Sequence, residues 1–185
     1  MMDDHASCAG HSHGNYDQTL DEIKFENSIF NACVVGDLQK VKNKVKQHGQ
    51  AILNEQDKNG YSCLHYAARN SHYEICKYLI ENGINVNLKT ASCGSTALHR
   101  AAFIGNSKIV QILLENKANA LEKDCDGKTA LHKCVDQYFK AKTNDPKQHE
   151  ETMSVLLKFN SNLKDICDNK SMTPLDYFPD LKYFL

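Results

Sequence analysis

Apolar residues recur along this chain in helix-period blocks divided by short polar stretches, and the blocks themselves repeat. Segments GYSCLHYAA from Gly60, GSTALHRAA from Gly94 and GKTALHKCV from Gly127 align on Leu64, Leu98 and Leu131, spaced 34 and 33 residues apart. A fourth copy, SMTPLDYF, carries Leu175, 44 residues after Leu131, which is one period plus an insertion of about ten. An upstream copy, SIFNACVVGD, puts Ile29 at the anchor position. Fifteen residues after the anchor a second apolar run follows: Leu79-Ile80, Leu113-Leu114 and, past the insertion, Leu156-Leu157. Together with Ile75 and Ile109-Val110 these form one helical face at i, i+4 spacing. Each period therefore predicts two helices, the first opened by Ser62, Thr96, Thr129 or Thr173 as N-cap, whose oxygen satisfies an orphan N–H. The pairs Ala67-Ala68 and Ala101-Ala102 allow close helix approach, and Gly60, Gly94 and Gly127 permit positive φ in the preceding turn. One such unit cannot bury its apolar face alone, but stacked neighbours can, so the fold expected is an all-α solenoid.

Further positions recur in register. Asp57, Asp124 and Asp168 lie seven residues before their anchors, and His65, His99 and His132 follow the anchors directly. Over roughly residues 28–185 the chain resembles the ankyrin-repeat family, whose unit is a β-turn or hairpin finger plus two antiparallel helices. The stretches FENSIFNACVVGDLQKVK, NGYSCLHYAARNSHYEICKYLIENG and STALHRAA carry a narrower likeness to a small animal member of that family.

The organisation predicted is a disordered, small and polar tail (1–15), an added N-terminal helix and capping repeat (16–56), repeats at 57–89, 90–123 and 124–167, and a C-terminal capping half-repeat (168–185). Leu20, Ile23 and Phe25 suggest the added helix. Leu38, Val41 and Val45, interleaved with lysines, suggest the cap's second helix, and Leu175, Phe178, Leu181 and Phe184 seal the far end. Tyr138 stands where glycine would stop a first helix. With Pro146 nearby, the insertion near 138–149 predicts a longer helix or a protruding loop, either solvated or making a contact of its own.

Charge then narrows the function. Lys+Arg total 22 against Asp+Glu 23, a net charge of −1, which lacks the basic excess that phosphate neutralisation demands of a nucleic-acid binder. No apolar run is long enough for a membrane span, and the polar N-terminus does not read as a signal peptide, so a cytoplasmic or nuclear protein is expected. The eight cysteines, with no CxxC pair, then read as thiols, several at small apolar positions. No phosphate loop, serine elbow or HExxH motif occurs, so neither enzymatic activity nor a cofactor is expected. Cys8, His11 and His13, with His5 nearby, carry zinc-type ligands, but without apolar residues to fold around an ion. They form a weak metal candidate beside the plainer reading of a tail.

What remains comes from the resemblance. It implies a non-catalytic adaptor or interaction module, here a monomer, that binds partner proteins through a concave face of turn tips and first helices. A nuclear transcriptional co-regulator working through protein contacts is the alternative. By position, the tips are Lys58, Asn59 and Tyr61; Ser92, Cys93 and Ser95; and Cys125, Asp126 and Lys128. The exposed helix pairs are Val34-Val35, Arg69-Asn70, Phe103-Ile104 and Asp136-Gln137. Phe103-Ile104, and Tyr61 beside Arg69, are apolar or aromatic candidates for a docking hot spot, against the plainer reading of packing between repeats. Val34-Val35, in the cap, reads as structural. The resemblance also implies that His65, His99 and His132 order neighbouring turns. It makes Asn87, eight residues after Leu79, a candidate for asparagine hydroxylation, against an ordinary hairpin asparagine.

Overall fold

The computed structural model describes residues 24–140 and 147–179. Helices come in pairs: α1 (Ile29–Val35) with α2 (Leu38–His48), α3 (Cys63–Arg69) with α4 (Tyr73–Glu81), α5 (Ala97–Ile104) with α6 (Ser107–Glu115), and α7 (Ala130–Lys140) with α8 (Lys147–Phe159). A short α9 (Pro174–Tyr177) ends the series. First helices stack on first helices from α1 through α3, α5 and α7 to α9, and second helices on second helices from α2 to α8. Among the described residues no strand forms, only an isolated bridge between Gln56 and Ser62, so the all-α solenoid read from the periodicity is the fold.

The stack is held by columns of equivalent residues. Leu64, Leu98 and Leu131 are fully buried, as are Leu79, Leu113 and Leu156 on the second helices. Where first helices touch, the column is Ala32, Ala67, Ala101 and Cys134, and beside it Cys33, Ala68, Ala102 and Val135, all without solvent exposure. Cysteine here fills an alanine's place as a small hydrophobe. Burial pushes the Cys134 thiol away from ionisation, and likewise that of Cys76 on α4, up to about 12.

The turns stack as well. Ala91 N–H donates to the Asn59 carbonyl at 3.0 Å, Cys125 N–H to Cys93 at 2.9 Å, and Asn169 N–H to Asp126 at 2.9 Å. Gly60, at φ +77°, lies so close to the next turn that a Cβ would sit 2.2 Å from Ala91 N. The anchor histidines link turn to turn as the resemblance implied. His65 Nδ1 accepts from Ser62 N–H (3.1 Å), leaving Nε2–H to donate to the Ser95 carbonyl (3.0 Å). His99 and His132 repeat this with Thr96 and Lys128, and with Thr129 and Met172. Desolvation holds all three imidazoles neutral, His65 down to about 4.

A second histidine set was hidden from the sequence reading by the insertion. His72 lies eight residues past its anchor, and His149 occupies the same place once the extra residues are allowed for. His72 Nε2 donates to the Val34 carbonyl at 2.9 Å and His149 Nε2 to the Phe103 carbonyl at 3.2 Å. Each ring lies over a glycine of the preceding repeat. At Gly105, where φ is +80°, a Cβ would stand 2.9 Å from the His149 ring.

At the insertion, α7 has 11 residues against 7 in α3 and 8 in α5. Ser71 and Gly105 end the earlier helices with left-handed backbone, whereas Tyr138 continues the helix. Pro146 and the tail candidates Cys8, His11 and His13 lie outside the described residues, as do Leu20, Ile23, Leu181 and Phe184. Residues 24–26 form a helical turn, and Phe25 packs edge-on against Tyr66 at 6.0 Å. Val35 corrects the structural reading of its pair: it is 62% exposed, because it falls on the outer side of α1.

Candidate functional site

On the side formed by turn tips and first helices, a cleft of about 210 Å³ opens between the second and third central repeats. Cys93, Ser95, His99, Arg100 and Phe103 form one wall, and Asp126, Lys128, Lys133, Asp136 and Lys140 the other. Arg100 and Phe103, one turn apart on α5, share a face, as do Lys133, Asp136 and Lys140 on α7.

The cleft's electrostatics follow from a motif that recurs in the turns. Asp57 Oδ1 accepts from Tyr61 N–H (2.8 Å), Asp124 Oδ1 from Lys128 N–H (2.9 Å) and Asp168 Oδ1 from Met172 N–H (3.1 Å). The second carboxylate oxygen always meets the residue two past the anchor. Tyr66 donates to Asp57 at 2.6 Å, Lys133 pairs with Asp124 at 2.5 Å, and Tyr177 donates to Asp168 at 2.8 Å. Although desolvation opposes it, the Lys133 pairing holds the Asp124 carboxyl below its ordinary range.

The 90–95 turn breaks this rule. It is one residue longer, and Thr90 takes the aspartate's place, its Oγ1 accepting from Ser95 N–H at 3.0 Å. Arg100, two past its anchor, therefore meets no turn carboxylate. Its guanidinium lies over the Tyr61 ring at 5.1 Å and donates to the Tyr61 hydroxyl at 2.7 Å. It also approaches Cys93 Sγ at 3.8 Å. Burial alone would raise the Cys93 thiol, but hydrogen bonds from Ser95 and Thr90 and the charge of Arg100 prevail and lower it to about 7.

The residues expected at the site are only partly brought together. Phe103 and Asp136 line the cleft, whereas Ile104 and Gln137 do not, because they project one residue further round their helices. Asp136 is not free, being paired with Lys128. Tyr61 is engaged by Arg100 rather than Arg69, and it stacks on Tyr66 at 5.3 Å. Arg69 is exposed, and Asn70 turns its amide back to the Tyr66 carbonyl (2.9 Å). Ser95 is no tip residue, being 2% exposed in the longer turn. Asn87 is exposed but tied at both ends of its amide. Its oxygen accepts from Asn119 N–H (2.8 Å) and its nitrogen donates to the Lys117 carbonyl (3.0 Å). Asn54 accepts from Asn85 N–H in the same way one repeat earlier. Arg100 and Lys133 were missed, though their position one helical turn before Phe103 and Asp136 was a readable signal. Among the described residues no group of three or more His, Cys, Asp or Glu side chains could hold a metal ion. No described helix is long and apolar enough to cross a membrane.

Comparison with known proteins agrees with this architecture. Two family models match, one described as ankyrin repeats (3 copies) over residues 9–90 and one as ankyrin repeats (many copies) over residues 70–114. The chain is 40% identical over 73 residues to the Homo sapiens protein called Ankyrin repeat domain-containing protein 39, covering 40% of this chain and 39% of that one. It is 33% identical over 106 residues to Diacylglycerol kinase iota of Homo sapiens, covering 56% of this chain but only 10% of the kinase. It is 37% identical over 82 residues to the Probable 26S proteasome regulatory subunit p28 of Saccharomyces cerevisiae, covering 44% of this chain and 36% of that subunit. The repeat, the stacked helix pairs and the linked turns agree with these matches: the chain is an ankyrin-repeat solenoid similar to the first of these relatives, and ankyrin stacks are protein-interaction modules.

Proposed function

We propose that this protein is a non-catalytic adaptor that binds a partner protein in the cleft between its second and third central repeats, acting as a monomer in the cytoplasm or nucleus. The observation that carries the reading is the pairing, within one cleft, of a large exposed aromatic, Phe103, with the held guanidinium of Arg100. Buried aromatic and arginine anchors dominate interface energies. Both sit on α5, which is locked into the stack, so docking a partner requires little ordering of the site itself. The other exposed tip and helix residues, Arg69 and Asn70 among them, extend the same face and widen the footprint.

The test is cross-linked affinity capture from cells, comparing wild type with Phe103→Ser, after circular dichroism shows that the variant is folded. Loss of specific proteins from the variant's set supports the cleft. Identical sets remove it and direct attention to Arg69 and Asn70 or to the insertion near 138–149.

A further inference from the structure

The cleft's charges are unequally satisfied. Lys128 is paired with Asp136, and Lys133 with Asp124, so neither cation is available without breaking an ion pair. Arg100 has no carboxylate partner among the described residues, and its buried Nε has no hydrogen-bond acceptor. Three turns supply an aspartate to the residue two past the anchor, and this one does not. The guanidinium nonetheless stays in place, held by the Tyr61 ring and hydroxyl. A positioned, half-buried and uncompensated arginine is well suited to a carboxylate, which can accept a charge-assisted hydrogen bond from Nη1, the guanidinium nitrogen that neither Tyr61 nor Cys93 engages. A carboxylate is met by Arg100 alone, whereas a phosphate dianion calls for further free donors: Lys128 and Lys133 are engaged in ion pairs, and exposed Lys140, one residue beyond Phe139 at the end of α7, is the one cleft lysine without an ion pair among the described residues. Phe103, one turn along α5 and 37% exposed, gives the same wall an apolar surface.

We propose that the cleft selects an acidic protein segment, taking an Asp or Glu carboxylate on Arg100 and an adjacent large apolar side chain against Phe103. The proposal rests on the reading of this cleft as the partner site and deepens it. The lengthened 90–95 turn is then a specificity device: removing one aspartate from the repeating pattern transfers the arginine's missing anion to the partner.

The test is a selection of short random peptides displayed on phage, panned against the full chain. The enriched peptides are then titrated against wild type, Arg100→Gln, Arg100→Lys, Phe103→Ser and Thr90→Asp, each checked by circular dichroism and thermal unfolding. Wild type is expected to enrich peptides with Asp or Glu beside a large apolar residue. Arg100→Gln should weaken these roughly 10- to 100-fold, as expected for a charge-assisted hydrogen-bonded contact, with Arg100→Lys intermediate. Thr90→Asp returns to Arg100 the carboxylate its counterparts have. It should weaken the same peptides while leaving Arg100 intact, which keeps the test decisive if Arg100→Gln fails to fold. Peptides lost on Phe103→Ser but indifferent to Arg100→Gln and Thr90→Asp overturn the carboxylate inference and leave the cleft reading standing. Peptides indifferent to every variant, or no enrichment at all, overturn both. Tighter binding of phosphoserine than of aspartate at the acidic position overturns the choice of carboxylate.

Discussion

Acid should loosen this stack well before its carboxylates titrate, because the histidines that join its turns are held neutral. His65 is buried with Nδ1 accepting from Ser62 N–H and Nε2 donating to Ser95, and desolvation lowers it from 6.5 to about 4. The sign follows from which state binds the proton. Below about pH 6.5 the unfolded chain takes up a proton that folded His65 refuses, so stability is intact above that pH and falls as pH drops toward about 4. Each pH unit in that window removes about 1.4 kcal/mol per such group, so going from about pH 7 to about pH 5 costs about 2 kcal/mol through His65 alone. His99 and His132 are shifted the same way by the same burial and add to the loss. Against a total stability of about 5–15 kcal/mol for a domain of this kind, this is a large effect. The carboxyls of Asp124 and Asp168 are lowered from 3.8, so their contribution stays in place until the pH falls below that value. Urea unfolding at several pH values across the window measures the slope, and His65→Gln should lower stability at neutral pH while flattening that slope by about one proton. A wild-type midpoint that does not move across the window, or a slope that His65→Gln leaves unchanged, would refute the reasoning.

Other outcomes follow from packing and from the thiols. Leu98→Ala empties a fully buried anchor and should cost roughly 2–5 kcal/mol in urea unfolding; an unchanged midpoint contradicts the burial. Gly60→Ala forces a Cβ against Ala91 N at positive φ and should cost at least about 1–3 kcal/mol, measured the same way. Brief alkylation near neutral pH followed by peptide mass spectrometry should label Cys93 ahead of the exposed Cys125, whose thiol is shifted upward. Replacing Arg100 by Gln should slow Cys93 labelling by removing the cation that favours its thiolate, and equal rates would contradict that contact. Asn87→Ala should destabilise by only about 0.5–1.5 kcal/mol in urea unfolding, since it removes the links to the Lys117 carbonyl and the Asn119 N–H at an exposed position where water can take its place.

The period of the chain was enough to reach the solenoid and the helix pairs, because each is governed by residues close in sequence. Ser62 and Thr96 cap their own helices, Leu64 and Leu98 recur in register, and the equivalents of Ala67 form the buried column. The anchor histidines were legible for the same reason, one per repeat at a fixed offset. The cleft was less so. The resemblance named tip and helix positions by register, and the register failed where the chain adds a residue, at 90–95, placing Ser95 inside and Thr90 where aspartate stands elsewhere. The choice between Phe103 and Ile104 turned on an angle of rotation about α5 that sequence spacing does not resolve. His149 escaped notice because the insertion displaced it from His72 in number while leaving it equivalent in space. Sequence alone determined that this is a stack of helix pairs, since apolar periodicity allows no other burial. Only the tertiary structure decided that Arg100 lacks the carboxylate its counterparts hold, because that follows from how one longer turn packs between its neighbours.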